Sequence, residues 1–170
     1  MAAISTRAHA AVVNHGFGGS MLADCVYYFN RLVTPVQPRI GVVYAGGNDL
    51  VAGKSPEAVA ADARAFAAKW HAELPQQRLI FTSIQYTPAR WDIREKIALT
   101  NAYLAAFCAA DSRRIYLDLN SALLTPKGEP RPELYAQDRL HINSDGYKIW
   151  AKLLAPFFEH HAGRSIELSR

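Results

Sequence analysis

Four short apolar runs alternate with four helix-like segments, and that alternation constrains the fold more than any other feature of the chain. The runs are "AAVVN" (10–14), "IGVVYA" (40–45), "RLIFTSI" (78–84) and "RIYLDL" (114–119). Most are continuous in apolar character rather than strictly alternating, the pattern of strands covered on both faces. Between them, residues 20–33 place Leu22, Val26, Phe29 and Leu32 or Val33 on one helical face. Residues 56–73 begin at Ser55-Pro56-Glu57, a cap residue followed by proline at the first helical position. Residues 92–110 repeat Ile93, Ile97, Thr100, Leu104 and Phe107, and residues 144–158 repeat Tyr147, Trp150, Leu154 and Phe157 or Phe158. The order β-α-β-α-β-α-β-α predicts an α/β fold: a parallel sheet with helices on both faces.

The length, 170 residues, suits a single domain over 1–170, with a polar tail from about residue 160 ("HHAGRSIELSR") that is expected to be loosely held. Half of the residues are hydrophobic, enough for a substantial core, but no uninterrupted apolar run reaches the roughly 18 residues of a membrane span. The net charge of +4 is spread along the chain without a basic run, which argues against a nucleic-acid partner. Cys25 and Cys108 both fall in helix-like apolar segments and read as free thiols. His9, His15, His71 and the pair His160 and His161 show no helical ligand spacing, so no metal is expected. "MAAISTRAHA" carries no apolar signal-peptide core, so the chain as written reads as cytoplasmic, with the compartment open if a segment precedes it.

In a parallel α/β sheet, ligands bind beyond the carboxyl ends of the strands, so the loops there carry the functional reading. "NHGFGGS" (14–20) strips side chains from the backbone. It either brings N–H groups close to a reacting oxygen or simply makes a tight turn. It is neither a P-loop nor a dinucleotide fingerprint, which weighs against a nucleotide or flavin module. In "AGGNDL" (45–50), Asn48 either aims its amide at a developing oxyanion or forms an Asx-turn with Asp49. In "YTPARW" (86–91), Arg90 and Trp91 either wall a pocket or lie on a surface loop, and the surface reading is preferred. "DRLHINSDGY" (138–147) sets Asp138 three positions before His141, ahead of a helix start capped by Asn143 or Ser144. His141 is a candidate general base and Asp138 the group that orients it.

Taken in order, "NHGFGGS", "YAGGNDL" and "DRLHINSDGY" resemble the second, third and fifth conserved blocks of the SGNH (GDSL-like) hydrolases. "RLVTPVQPRIGVVYAGGNDL" and "TPARW" are similar to the branch that includes platelet-activating-factor acetylhydrolase-like esterases. The resemblance runs from Val12 to Phe158. It implies a flavodoxin-like three-layer α/β/α fold and ester hydrolysis through a serine. By motif position it implies that Gly19 gives a backbone N–H and Asn48 its side-chain amide to the oxyanion hole, with His141 as base and Asp138 orienting it. It also implies no metal or organic cofactor, and ester substrates of the acylated-sugar or lipid class.

The first block of that family, Gly-Asp-Ser, carries the nucleophile, and no "GDS" occurs in this sequence. The family's first strand is therefore expected to be missing, and the nucleophile is unassigned. Ser5 is a weak substitute, because the few residues before Ala10 are too short for a parallel crossover. Ser20 is expected to cap the following helix and Ser83 to lie within a strand. The preferred expectation is an N-terminally incomplete esterase, inactive as this chain, whose first block lies upstream of an assigned start. The alternative is a non-catalytic ligand-binding relative on the same scaffold.

Overall fold

A computed structural model describes residues 12–159. Three parallel strands form one sheet in the order β1 (Ile40–Val43), β2 (Arg78–Thr82), β3 (Arg114–Leu117). Ile40 lies opposite Arg78, and Leu79 opposite Arg114. Six helices accompany them: α1 (Leu22–Tyr27), α2 (Phe29–Leu32), α3 (Gly47–Val51), α4 (Pro56–Glu73), α5 (Arg94–Ala109) and α6 (Ser144–Glu159). The α4 start follows its sequence signal, since Ser55 Oγ accepts the Ala58 N–H at 3.2 Å and Pro56 occupies the first turn.

Side chains alternate across the sheet, and two cores form on its two faces, with Tyr116 and Leu117 of β3 reaching one each. Leu79 and Phe81 pack with Phe66 and Trp70 of α4, Ile97 and Leu104 of α5, and Leu22 and Phe29 of α1 and α2. On the other face, Leu117 joins Leu119, Leu123, Leu134, Ile142 and Trp150, with Ile149 and Leu153 of α6 against them. The result is the three-layer α/β/α arrangement, with α6 alone on its side among the described residues. Gly46 shows why one glycine before α3 is required. Its φ is +110°, and a Cβ there would meet Ile84 Cδ1 at 2.6 Å.

Three sequence expectations need correction. Residues 12–14 of "AAVVN" form no strand, and Val12 and Val13 are 69% and 54% exposed; Ala10 and Ala11 lie outside the described residues. A strand exists only when a neighbouring strand takes up its backbone groups, and this run joins no sheet ladder among the described residues. The outer edge of β1 carries no strand among the described residues, and Val42 and Tyr44 beside it are 40% and 51% exposed. The segment 20–33 is two short helices rather than one, interrupted at Tyr28 (φ −87°, ψ 10°). The break turns Phe29 inward, where its ring meets Phe66 edge-on at 5.4 Å. Ser20 does not cap α1 either. Asp24 accepts the Met21 N–H at 2.9 Å in that place, while the Ser20 carbonyl serves Asn48. The polar tail from residue 160 and Ser5 lie outside the described residues.

Cys25 and Cys108 are free thiols. Burial pushes the Cys108 thiol up to about 11, which keeps it protonated and unreactive. Among the described residues, no helix is long and apolar enough to cross a membrane.

Candidate active site

The polar groups at the carboxyl end of the sheet converge through three loops. The loop between β3 and α6 folds back on itself, with Tyr135 and Ile142 forming an antiparallel bridge and Ala136 N–H donating to the His141 carbonyl at 2.7 Å. Its turn requires Arg139 in the left-handed region at φ +57°, a conformation that non-glycine residues hold only when their surroundings impose it. This turn displays Asp138 and His141 together. Asp138 Oδ2 lies 2.6 Å from His141 Nδ1, and its Oδ1 accepts the backbone N–H groups of Leu140 at 2.9 Å and His141 at 3.0 Å. With Asp138 at Nδ1, the other ring nitrogen, Nε2, has no partner among the described residues. Asn143 closes the loop by accepting the Asp145 and Gly146 N–H groups at the α6 start.

The His141 ring and those two backbone N–H groups hold the Asp138 carboxyl at about 2, below the usual carboxylate range, with the ring the largest cause. The sign follows from the depression. The contribution to stability is complete above the unfolded value near 3.9 and is lost as pH falls from there through about 2. A carbon-detected NMR titration of the Asp138 carboxyl is expected to show a midpoint near 2, moving upward in His141→Ala. An unchanged midpoint in that variant would show that the ring does not hold the carboxylate.

The second loop enters α3. Asn48 stands in its first turn, donating from Nδ2 to the Ser20 carbonyl at 3.0 Å and accepting at Oδ1 from Arg90 Nη2 at 2.8 Å. Its second amide N–H has no protein partner among the described residues. Asp49, fully buried, ties the same turn to the glycine loop, since both its oxygens accept the Leu22 N–H (3.2 and 3.1 Å) and Oδ1 also meets Lys54 at 3.1 Å. In the glycine loop, Ser20 N–H donates to the Phe17 carbonyl at 3.4 Å across Gly18 and Gly19, and Gly19 sits at φ +74° with open space on its Cβ side. The Gly19 N–H has no partner among the described residues. Asn48 and the residue following Gly19 are thus in contact, while Asp138 and His141 form a second pair.

The third loop joins the two pairs. Ala89 N–H donates to the Arg139 carbonyl at 3.0 Å, and the next residue, Arg90, reaches Asn48. Sequence reasoning preferred a surface place for Arg90; its contact with Asn48 spans 42 positions and has no local signal. The buried polar groups under this loop were also missed. Asn101 of α5 bonds both the N–H (2.7 Å) and the carbonyl (2.9 Å) of Ile84, Asn120 takes the Tyr86 N–H at 2.9 Å, and Tyr135 donates to the Tyr86 carbonyl at 2.7 Å. Side chains thus replace the lost sheet ladder beyond β2, which a buried backbone requires. Asparagines on otherwise apolar faces were the available signal. Among the described residues, no group of three or more His, Cys, Asp or Glu side chains is placed to hold a metal ion.

The profile of the GDSL-like Lipase/Acylhydrolase family matches residues 2–149. The chain belongs to that family. The fold of this GDSL-like family member is similar to that of a GDSL-like lipase from Bacteroides thetaiotaomicron, at 20% identity and a TM-score of 0.73, covering 84% of this chain and 73% of that one. It is similar also to a Streptococcus pneumonia protein provisionally described as a platelet activating factor (18% identity, TM-score 0.79, covering 88% and 73%). A carbohydrate esterase family 3 protein from Talaromyces cellulolyticus is another neighbour (17% identity, TM-score 0.72, covering 85% and 69%). No curated protein sequence matches the chain.

Proposed function

We propose that this GDSL-like protein holds the base and oxyanion half of a serine ester-hydrolase site, acting on carboxylic esters of the acylated-sugar or lipid class. The observation that carries the reading is the 2.6 Å contact between Asp138 Oδ2 and His141 Nδ1. Asp138 fixes the ring tautomer and supports the imidazolium, so Nε2 is the nitrogen that takes a proton. A serine hydroxyl attacks the ester carbonyl and passes its proton to Nε2. The oxyanion forms against the free amide N–H of Asn48 and the backbone N–H of Gly19. The imidazolium returns the proton to the departing alcohol, leaving an acyl-serine. Water then repeats the sequence, releasing the carboxylic acid and restoring the serine.

The serine of this reading comes from outside the described residues. Six serines lie among the described residues, Ser20, Ser55, Ser83, Ser112, Ser121 and Ser144; Ser83 is buried and accepts the Leu119 N–H at 3.0 Å, Ser55 caps α4 and Ser121 bonds Asp118. None hydrogen-bonds His141. The test is intact mass of the 170-residue chain after fluorophosphonate treatment, with a peptide map of any adduct. Such reagents phosphonylate activated serines. A stoichiometric adduct, absent in His141→Ala, is the expected result for a chain that contains the whole site, and the map names the serine. No adduct on a folded chain that still binds an ester saturably without cleaving it establishes the alternative, a non-catalytic binding relative.

A further inference from the structure

We infer that Arg90 is a positioning residue for Asn48, holding the side-chain amide with its N–H₂ group toward the glycine loop. The inference rests on the ester-hydrolase reading for its catalytic meaning, but its geometry stands without it.

An asparagine amide has two nearly isosteric ends, one an acceptor and one a donor. Which end faces the site decides whether Asn48 stabilises an oxyanion or repels it. A guanidinium has donors only, so it admits only the oxygen end of its neighbour. Arg90 Nη2 lies 2.8 Å from Asn48 Oδ1, which turns Nδ2 the other way, to the Ser20 carbonyl at 3.0 Å. The bond is charge-assisted, roughly twice the strength of the neutral bond on the opposite end. It draws electron density toward Oδ1 and makes the remaining N–H a better donor.

A second observation shows how closely the guanidinium packs here. The residue before Asn48 is Gly47, and a Cβ there would lie 2.8 Å from Arg90 Nη1. The glycine leaves the guanidinium its place without a shift. Arg90 is itself fixed at the backbone. Its N–H donates to the Thr87 carbonyl at 3.1 Å, its own φ and ψ (−125°, 27°) break the short helical turn of Pro88–Ile93, and the adjacent Ala89 N–H holds the Arg139 carbonyl. The segment that aims Arg90 at Asn48 is thus the same one that docks on the His141 loop.

The test is NMR relaxation of the Asn48 side-chain amide in the ¹⁵N-labelled full chain, assigned by its loss in Asn48→Asp. In the unsubstituted protein the amide is expected to be as rigid as backbone, with an order parameter of about 0.85, and to fall below about 0.6 in Arg90→Gln. Arg90→Lys, a cation with donors only, should restore most of the rigidity. Gly47→Ala crowds Nη1, the far end of a flexible side chain, and should lower the rigidity less than Arg90→Gln does. Unaltered backbone amide shifts at Ile84 and Tyr86 confirm that the loop beneath is intact. A rigid, unshifted Asn48 amide in Arg90→Gln overturns the inference. In a preparation that hydrolyses p-nitrophenyl acetate, Arg90→Gln should lower kcat at least tenfold with KM nearly unchanged, because an oxyanion donor acts in the transition state. An unchanged kcat there overturns the catalytic meaning of the contact. Absence of hydrolysis in a form of the protein that supplies the nucleophilic serine counts against the ester reading alone, and the amide relaxation still decides Arg90.

Discussion

Ester turnover by a form of this protein that includes the nucleophilic serine is expected to fall about 10²–10⁴-fold when His141 is replaced by alanine, the range for loss of a general base. The substitution is well confined. The His141 side chain is 72% exposed, so its removal opens no cavity. The loop keeps its shape through backbone bonds that do not involve the ring: Ala136 N–H to the residue 141 carbonyl, and the N–H groups of residues 140 and 141 to Asp138 Oδ1. Stability should therefore change by no more than about 0.5 kcal/mol. Steady-state kinetics on p-nitrophenyl acetate, with the urea midpoint as control, reads both quantities. Near-normal turnover at unchanged stability would remove His141 from the mechanism.

Trp70→Ala is expected to cost about 3–5 kcal/mol, the range for truncating a buried aromatic. Trp70 is 2% exposed, and its Nε1 donates to the Gln77 carbonyl at 3.2 Å. Its ring fills the space above β1, where a Cβ on Gly41 would come within 2.5 Å of it. The indole thus fixes how closely α4 approaches the strand that leads to Asn48. Domains of this size have total stabilities of about 5–15 kcal/mol, so the loss is a large share. Equilibrium urea unfolding measures it. Gly41→Ala should itself destabilise the native protein by overpacking, yet cost less in the Trp70→Ala background, where the ring no longer opposes it. Simple additivity of the two would show that the ring and the strand do not contact.

Both outcomes bear on how far the sequence alone could carry the reading. α4, α5 and α6 were legible because their apolar periodicity and the Ser55-Pro56 start are properties of a few adjacent residues. The strands at 40–43, 78–82 and 114–117 were legible as apolar runs between those helices. The run at 10–14 looked the same as these and is not a strand where the structure describes it. The Trp70 contact with Gly41 was invisible, since an Ala-rich helix and a Gly within a strand give no sign that one leans on the other.

The sequence by itself determined the order β1, α4, β2, α5, β3, α6, the parallel α/β class, the family and the proximity of Asp138 to His141. Those rest on local spacing or on motifs whose residues are neighbours in the chain. The tertiary structure alone decided that Arg90 faces Asn48, that Asn101 and Asn120 complete the backbone beyond β2, and that residues 12–14 join no strand ladder among the described residues. The first two depend on hydrogen-bond partners 17 to 42 positions away, and the third on a neighbouring strand that the described residues do not supply. A backbone group or an amide end accepts whatever donor the folded chain brings to it, and no short stretch of sequence encodes which one arrives.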